Sequence, residues 1–238
     1  MIDKEIFSNI AGIRQGIEAA CSKSGRSVSD VKIVAVSKKQ SLEKMKVYQN
    51  YCRENNLNVI FGESYVQEFR DKKSSLVQPF ESHLIGSLQS NKARDAVFYF
   101  DLIESVDSVK LAGVLDKEAK KINKIQNIFL QINISNDTAK HGFEAGQAEK
   151  FIAENLSLLS NLKLCGLMTI TKDYDTAEES RPDYRNLKIL RDNLVHNIPE
   201  VKNGLALSMG MSHDYQIAVE EGADYVRIGT ALFGEREI

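Results

Sequence analysis

Among the side chains able to do chemistry, Lys38 stands apart. It closes the stretch KIVAVSK (32–38), in which small and β-branched apolar residues lead to an ammonium group, and Lys39 follows it. A lysine held in a partly desolvated mouth loses proton affinity because burial disfavours its charged form. The neutral amine is then a nucleophile toward aldehydes and forms Schiff bases. Far along the chain, SMGMSHD (208–214) and RIGTALFGER (227–236) supply Ser208, Gly210, Ser212, Arg227, Gly229 and Thr230. Small residues and hydroxyls at a helix start leave backbone N–H groups open to an anion, which suits a phosphate.

Those residues need elements that bring them together. Eight apolar stretches rich in Val and Ile recur: 32–37, 58–63, 82–87, 101–106, 128–135, 162–170, 204–210 and 224–234. Segments with helical spacing separate them. The spacing predicts helices from Ser41, a capping residue, through about Asn55, and over 108–123, 144–160 and 184–196. A further amphipathic helix over 4–23 carries Ile6, Ile10, Ile13 and Ile17 at three- and four-residue steps. Continuous apolar strands alternating with helices indicate a parallel sheet covered on both faces. The expected fold class is therefore α/β, as a single (β/α)8 TIM-type barrel over 1–238 with an extra N-terminal helix. An open doubly wound sheet is the alternative, weakened because no GxGxxG follows an early strand.

Bulk properties restrict function. Of 238 residues, 42% are hydrophobic and 27% charged, and the formal net charge is −2. Without a basic surplus, nucleic acid is not an expected partner. The three cysteines are scattered and the four histidines lack metal-ligand spacing, so neither a disulfide framework nor a metal site is expected. There is no signal-like N-terminus and no apolar run of membrane-spanning length, so no membrane partner and a cytoplasmic location are expected.

A (β/α)8 barrel places its active site at the C-terminal ends of the strands, with phosphate held by the loops after strands seven and eight. There the chain places Lys38, Glu63, Ser64 and Tyr65, then His83, Asn133, Met168, Thr169 and the glycine-rich segments above. His83, inside an apolar strand, reads first as a satisfied core histidine, and Cys165 as a small buried hydrophobe. Ser212 reads as the N-cap of the helix through Ala218. A Schiff-base lysine and a phosphate seat on opposite sides of one mouth fit pyridoxal 5′-phosphate (PLP), which carries an aldehyde and a phosphate. A lysine aldolase acting on a sugar phosphate would use the same pair.

The motifs AVSK (35–38), FGESYVQE (61–68), HLIGSLQSNK (83–92), KHGF (140–143), GLMTI (166–170), LSMGMSHD (207–214) and VRIGTALFGER (226–236) occur in one order along nearly the whole chain. In combination they resemble the YggS/PROSC family of pyridoxal phosphate homeostasis proteins, whose barrel is similar to the N-terminal domain of alanine racemase. The resemblance implies that Lys38 carries PLP as a Schiff base. It implies that Ser212, Gly229 and Thr230 hold the phosphate, that Ser208 and Met209 lie beside the cofactor, and that Arg227 faces the pyridine nitrogen. Ser64 and His83 complete the expected cofactor-binding set. The chain departs from the family at Ser64, usually Asn, at Ser82, usually Trp, and at Lys39, often Thr.

An arginine at the ring nitrogen is a donor only and weakens the ring as an electron sink. A racemase of this type also needs a second base from an added domain, for which the chain, ending at Ile238, leaves no room. A binding protein in intracellular PLP (vitamin B6) homeostasis, without turnover, is therefore expected. A slow PLP-dependent amino-acid racemase is the alternative. PLP-dependent apoenzymes are expected recipients, and a monomer is the expected state.

Overall fold

The computed structural model describes residues 2–235. Eight strands pair in parallel, each with its sequence neighbour, and β1 closes on β8, so the sheet is a barrel with no open edge. The strands are β1 (Lys32–Val36), β2 (Ile60–Glu63), β3 (Glu81–Leu84), β4 (Leu102–Val106), β5 (Gln126–Gln131), β6 (Leu162–Met168), β7 (Ala206–Met211) and β8 (Tyr225–Ile228). All eight expected strands are present, and the doubly wound alternative is excluded by closure.

The helices are α1 (Ile2–Ser24), α2 (Leu42–Glu54), α3 (Val66–Lys73), α4 (Ala93–Tyr99), α5 (Val109–Lys121), α6 (Ala145–Glu154), α7 (Arg181–Asn197), α8 (Tyr215–Glu220) and α9 (Thr230–Phe233). Ser41 and Ser108 cap α2 and α5 by accepting the N–H groups of Lys44 and Leu111. Each cap satisfies a donor that the first helical turn leaves without a partner. The extra helix α1 buries Ile6, Ile10, Ile13 and Ile17 and packs against α2, α8 and α9.

Side chains alternate across each strand. Ile103, Ile128, Leu130, Leu167, Leu207 and Val226 pack outward in the layer between sheet and helices. Leu102, Phe129 and Met168 form a separate inner cluster with Tyr225 packed against it, and Phe129 and Tyr225 meet edge to face at 5.7 Å. The lumen is thus filled at its lower end by large rings, which leaves its upper end for polar groups. Cys165, expected to be a small buried hydrophobe, is half-buried, with its thiol against Asn127 Oδ1 at 3.5 Å.

Among the described residues no helix is long and apolar enough to cross a membrane. Among the same residues no cluster of three or more His, Cys, Asp or Glu side chains is arranged to hold a metal ion.

Candidate functional site

Strand β1 ends at Val36, not at Lys38. A turn follows in which the Gln40 N–H bonds to the Ser37 carbonyl at 3.1 Å. Lys38 sits on this turn, half-buried, and lines a cavity of about 530 Å³ with Ser64, Tyr65, Gly86, Ser87 and Lys92. Gly86 is required there: a Cβ would lie 2.6 Å from the Ser64 backbone, so any side chain would push the loops after β2 and β3 apart. Lys39 is exposed, and its orientation comes from a left-handed backbone (φ 56°) rather than from the alternation of an extended chain.

The expected phosphate residues gather after β7 and β8. The Ser212 hydroxyl accepts the N–H groups of Gly229 and Ala231, each at 3.2 Å. Ser212 is therefore not the N-cap of α8. That position is held by Asp214, whose Oδ1 accepts the Met211 N–H at 2.7 Å and whose Oδ2 accepts the Tyr184 hydroxyl at 2.6 Å. A carboxylate that closes the turn leaves the serine free to face the β8 loop. Gly210 turns β7 through φ 89°, with a Cβ there only 2.4 Å from the Ala218 Cβ. Thr230 is exposed beside Gly229.

The lysine and this seat are not on opposite sides of the mouth. Because β1 pairs with β8, Lys38 and the Gly229–Thr230 part of the seat follow adjacent strands, and a Cβ on Gly229 would be 3.4 Å from the Val36 Cβ. Adjacency suits PLP better, since its aldehyde and phosphate arms leave neighbouring ring carbons. The lysine, the bare glycine and the hydroxyl-facing amides fit such a group.

Below the mouth a polar chain crosses the lumen. Arg227 donates from Nη1 to Ser208 Oγ at 2.8 Å and from Nη2 to the Thr169 carbonyl at 2.6 Å. Ser208 donates to Glu104 Oε2 at 2.5 Å, and Glu104 Oε1 meets His83 Nδ1 at 2.6 Å. His83 Nε2 lies 3.1 Å from Glu81 Oε1, a charge contact, and has no hydrogen-bond partner among the described residues. Burial opposes a charge on His83, but the hydrogen bond to Glu104 and the negative charges of Glu104 and Glu81 outweigh it and push the imidazole up to about 9. Burial likewise opposes ionisation of Glu104, yet His83, Arg227 and Ser208 hold its carboxyl below the usual range.

Of the expected residues, Lys38 and Ser64 share a cavity, and Ser212, Gly229 and Thr230 share a loop cluster. Ser208 and Arg227 meet in the lumen. His83 lies lower, against Tyr225 at 5.6 Å, and connects to Arg227 only through Glu104 and Ser208. Met209 is buried in the outer layer, so only its backbone is available to the mouth. Asn133 ties its own loop through Asp137, with its amide on the Asp137 carbonyl at 2.9 Å. Glu104 was not anticipated. Its one signal in the sequence is an acid inside the short strand stretch LIESV (102–106).

Comparison with known proteins defines the class first: the model of the family described as "Alanine racemase, N-terminal domain" matches residues 13–237. The pyridoxal phosphate homeostasis protein of Aquifex aeolicus is 36% identical over 230 residues, covering 96% of this chain and 97% of the relative. That of Escherichia coli K12 is 32% identical, covering 98% and 97%. The chain belongs to this family of pyridoxal phosphate homeostasis proteins. Its fold is similar to PipY of Synechococcus elongatus PCC7942 with PLP bound, at a TM-score of 0.83, 32% identity and coverage of 96% and 100%. An alanine racemase of Clostridium difficile 630 shares the fold alone, at a TM-score of 0.72 and 17% identity, with the match covering 98% of this chain and 57% of the racemase.

Proposed function

We propose that this protein binds PLP at the C-terminal mouth of its barrel and takes part in intracellular PLP (vitamin B6) homeostasis as a holder of the cofactor rather than a catalyst. The observation that carries this reading is the placement of Lys38, after β1, beside Gly229 and Thr230, after the adjacent strand β8, with Ser212 from the β7 loop bonded to the Gly229 N–H. When bound, PLP supplies an aldehyde that a neutral amine captures as a Schiff base, and a phosphate dianion.

Lys38 supplies the amine. Ser212, Gly229 and Thr230 supply hydroxyl and backbone donors to the phosphate. Ser64 lines the lysine's cavity. Arg227, already oriented by Ser208 and Thr169, keeps a donor toward the ring nitrogen, and His83 supports it from below through Glu104. A guanidinium gives a proton to no acceptor. Arg227 would therefore leave a ring nitrogen held against it an acceptor, which would make the bound cofactor a weak electron sink suited to storage. The names of the relatives, which describe homeostasis and not turnover, support the same reading. PLP-dependent apoenzymes are the proposed recipients, with the protein acting in the cytoplasm as a monomer.

The test is chemical. Protein incubated with PLP and reduced with borohydride is expected to carry one covalent label on Lys38, and Lys38→Ala to carry none. Equal PLP retention in Lys38→Ala would remove the lysine from the site. Steady racemisation of L-alanine by pure protein, abolished in Lys38→Ala, would replace the holding role with a catalytic one.

A further inference from the structure

Two lysines stand side by side at the mouth, and the fold treats them differently. Ser37 and Glu63 point outward into the layer beneath α3, where the Ser37 hydroxyl donates to Glu63 Oε1 at 2.8 Å. From α3, Lys72 Nζ donates to Glu68 Oε1 at 2.5 Å and to the Ser37 carbonyl at 3.3 Å, and lies 3.8 Å from Glu63 Oε1. Glu68 Oε1 also accepts the backbone N–H of Lys39 at 2.6 Å. The peptide groups on both sides of Lys38 are thus held by one ion pair.

That grip has a conformational consequence. Lys39 adopts φ 56°, a left-handed backbone that residues with a Cβ avoid. The short bond from its N–H to a carboxylate is charge-assisted and holds this geometry in place. With it, Lys38 lines the cavity and Lys39 is exposed. Were Lys39 to relax to negative φ, the peptide between the two lysines would rotate and either amine could swing toward the mouth.

We propose that Glu68 and Lys72 of α3 determine which lysine takes the aldehyde, positioning Lys38 and holding Lys39 away. The inference rests on the reading of Lys38 given above. In the step concerned, the lysine nitrogen bonds to the aldehyde carbon while the carbonyl oxygen departs with the two amine protons as one water. Glu63 belongs to the same cluster. Its second oxygen, Oε2, is buried without a hydrogen-bond partner, and burial holds its carboxyl above the usual range. A carboxyl kept there at a cost in stability is consistent with service to the turn rather than to the fold.

The experiment localises the borohydride-fixed label by peptide fragmentation in the wild type, Glu68→Gln, Lys72→Met and Lys72→Arg. Wild type labelled on Lys38 is expected, and a label elsewhere would defeat the underlying reading separately. In Glu68→Gln and Lys72→Met, Lys39 is expected to take a measurable share of the label. Lys72→Arg is expected to restore labelling of Lys38 alone. Label confined to Lys38 in both folded variants, whatever its yield, would overturn the selection. So would collapse of the fold in both, which would make the pair a stability element.

Discussion

His83 Nδ1 lies 2.6 Å from Glu104 Oε1 with both side chains fully buried inside the barrel. Glu104 in turn receives Ser208, which receives Arg227, so the charge of the guanidinium at the mouth is balanced from within the lumen. Breaking a buried pair from one side leaves an uncompensated charge, at a cost of about 3–5 kcal/mol. His83 is raised from an ordinary 6.5 to about 9. A value raised on folding contributes stability that is fully present below the unfolded value and is lost as pH rises through the folded one. Wild-type melting temperature is therefore expected to fall as pH climbs from about 6.5 through about 9. Glu104→Gln should melt lower at neutral pH and lose most of that alkaline slope. Parallel curves for the two proteins would show that the pair is not charged in the fold.

Glu63 makes the opposite kind of test. Burial is the main cause that pushes its carboxyl up to about 7, against Lys72, the Ser37 hydroxyl and Lys38, which favour the charge, while Glu68 opposes it. The folded fold prefers the protonated acid, so this preference is fully present below an unfolded value of 4.5 and is lost as pH rises through about 7. Glu63→Gln keeps a neutral group of the same shape. It is expected to be more stable than wild type at pH 8, by roughly 3 kcal/mol at most, and no more stable near pH 4. A gain of the same size at both pH values would locate the effect in packing instead.

Gly210 tests the turn that aims Ser212. With φ 89° and only 2.4 Å from an added Cβ to the Ala218 Cβ, Gly210→Ala meets both backbone strain and overpacking. Each costs on the order of 1–3 kcal/mol. Denaturant unfolding is expected to show a loss within that combined range, and α8 to be the element displaced. A variant as stable as wild type would mean that the turn after β7 can be rebuilt without the glycine.

The barrel was legible in the sequence because its strands are covered on both faces and read as short apolar runs, each followed by a helical stretch. The rim was legible as well, since Lys38 and the glycine-rich segments fall at strand ends. What could not be read were relationships created by closure. Glu104 meets a histidine 21 residues before it and a serine 104 residues after it, and only a closed ring of strands brings the three together. The neighbouring positions of Lys38 and Gly229 depend on β1 pairing with β8, and a linear reading set them across the mouth from each other. Ser212 was misread for a local reason: the helix starts two residues later, at Asp214, whose carboxylate closes the turn on the Met211 N–H and leaves the serine facing the β8 loop.

Ser212 offers the sharpest test of the phosphate seat, because its hydroxyl already gathers the amides of Gly229 and Ala231. Hydrogen bonds to an anion are charge-assisted and are stronger than those between neutral groups. Removing the hydroxyl takes one donor from a phosphate while leaving both amides in place. Ser212→Ala is expected to bind PLP about 10-fold more weakly, as loss of one hydrogen bond to a charged group implies. Pyridoxal shares the ring and aldehyde but lacks the phosphate, so its affinity should be nearly unchanged by the substitution. Titration of both proteins with both ligands separates the contributions. An equal loss for PLP and pyridoxal would mean that Ser212 shapes the mouth as a whole and that the phosphate is held elsewhere.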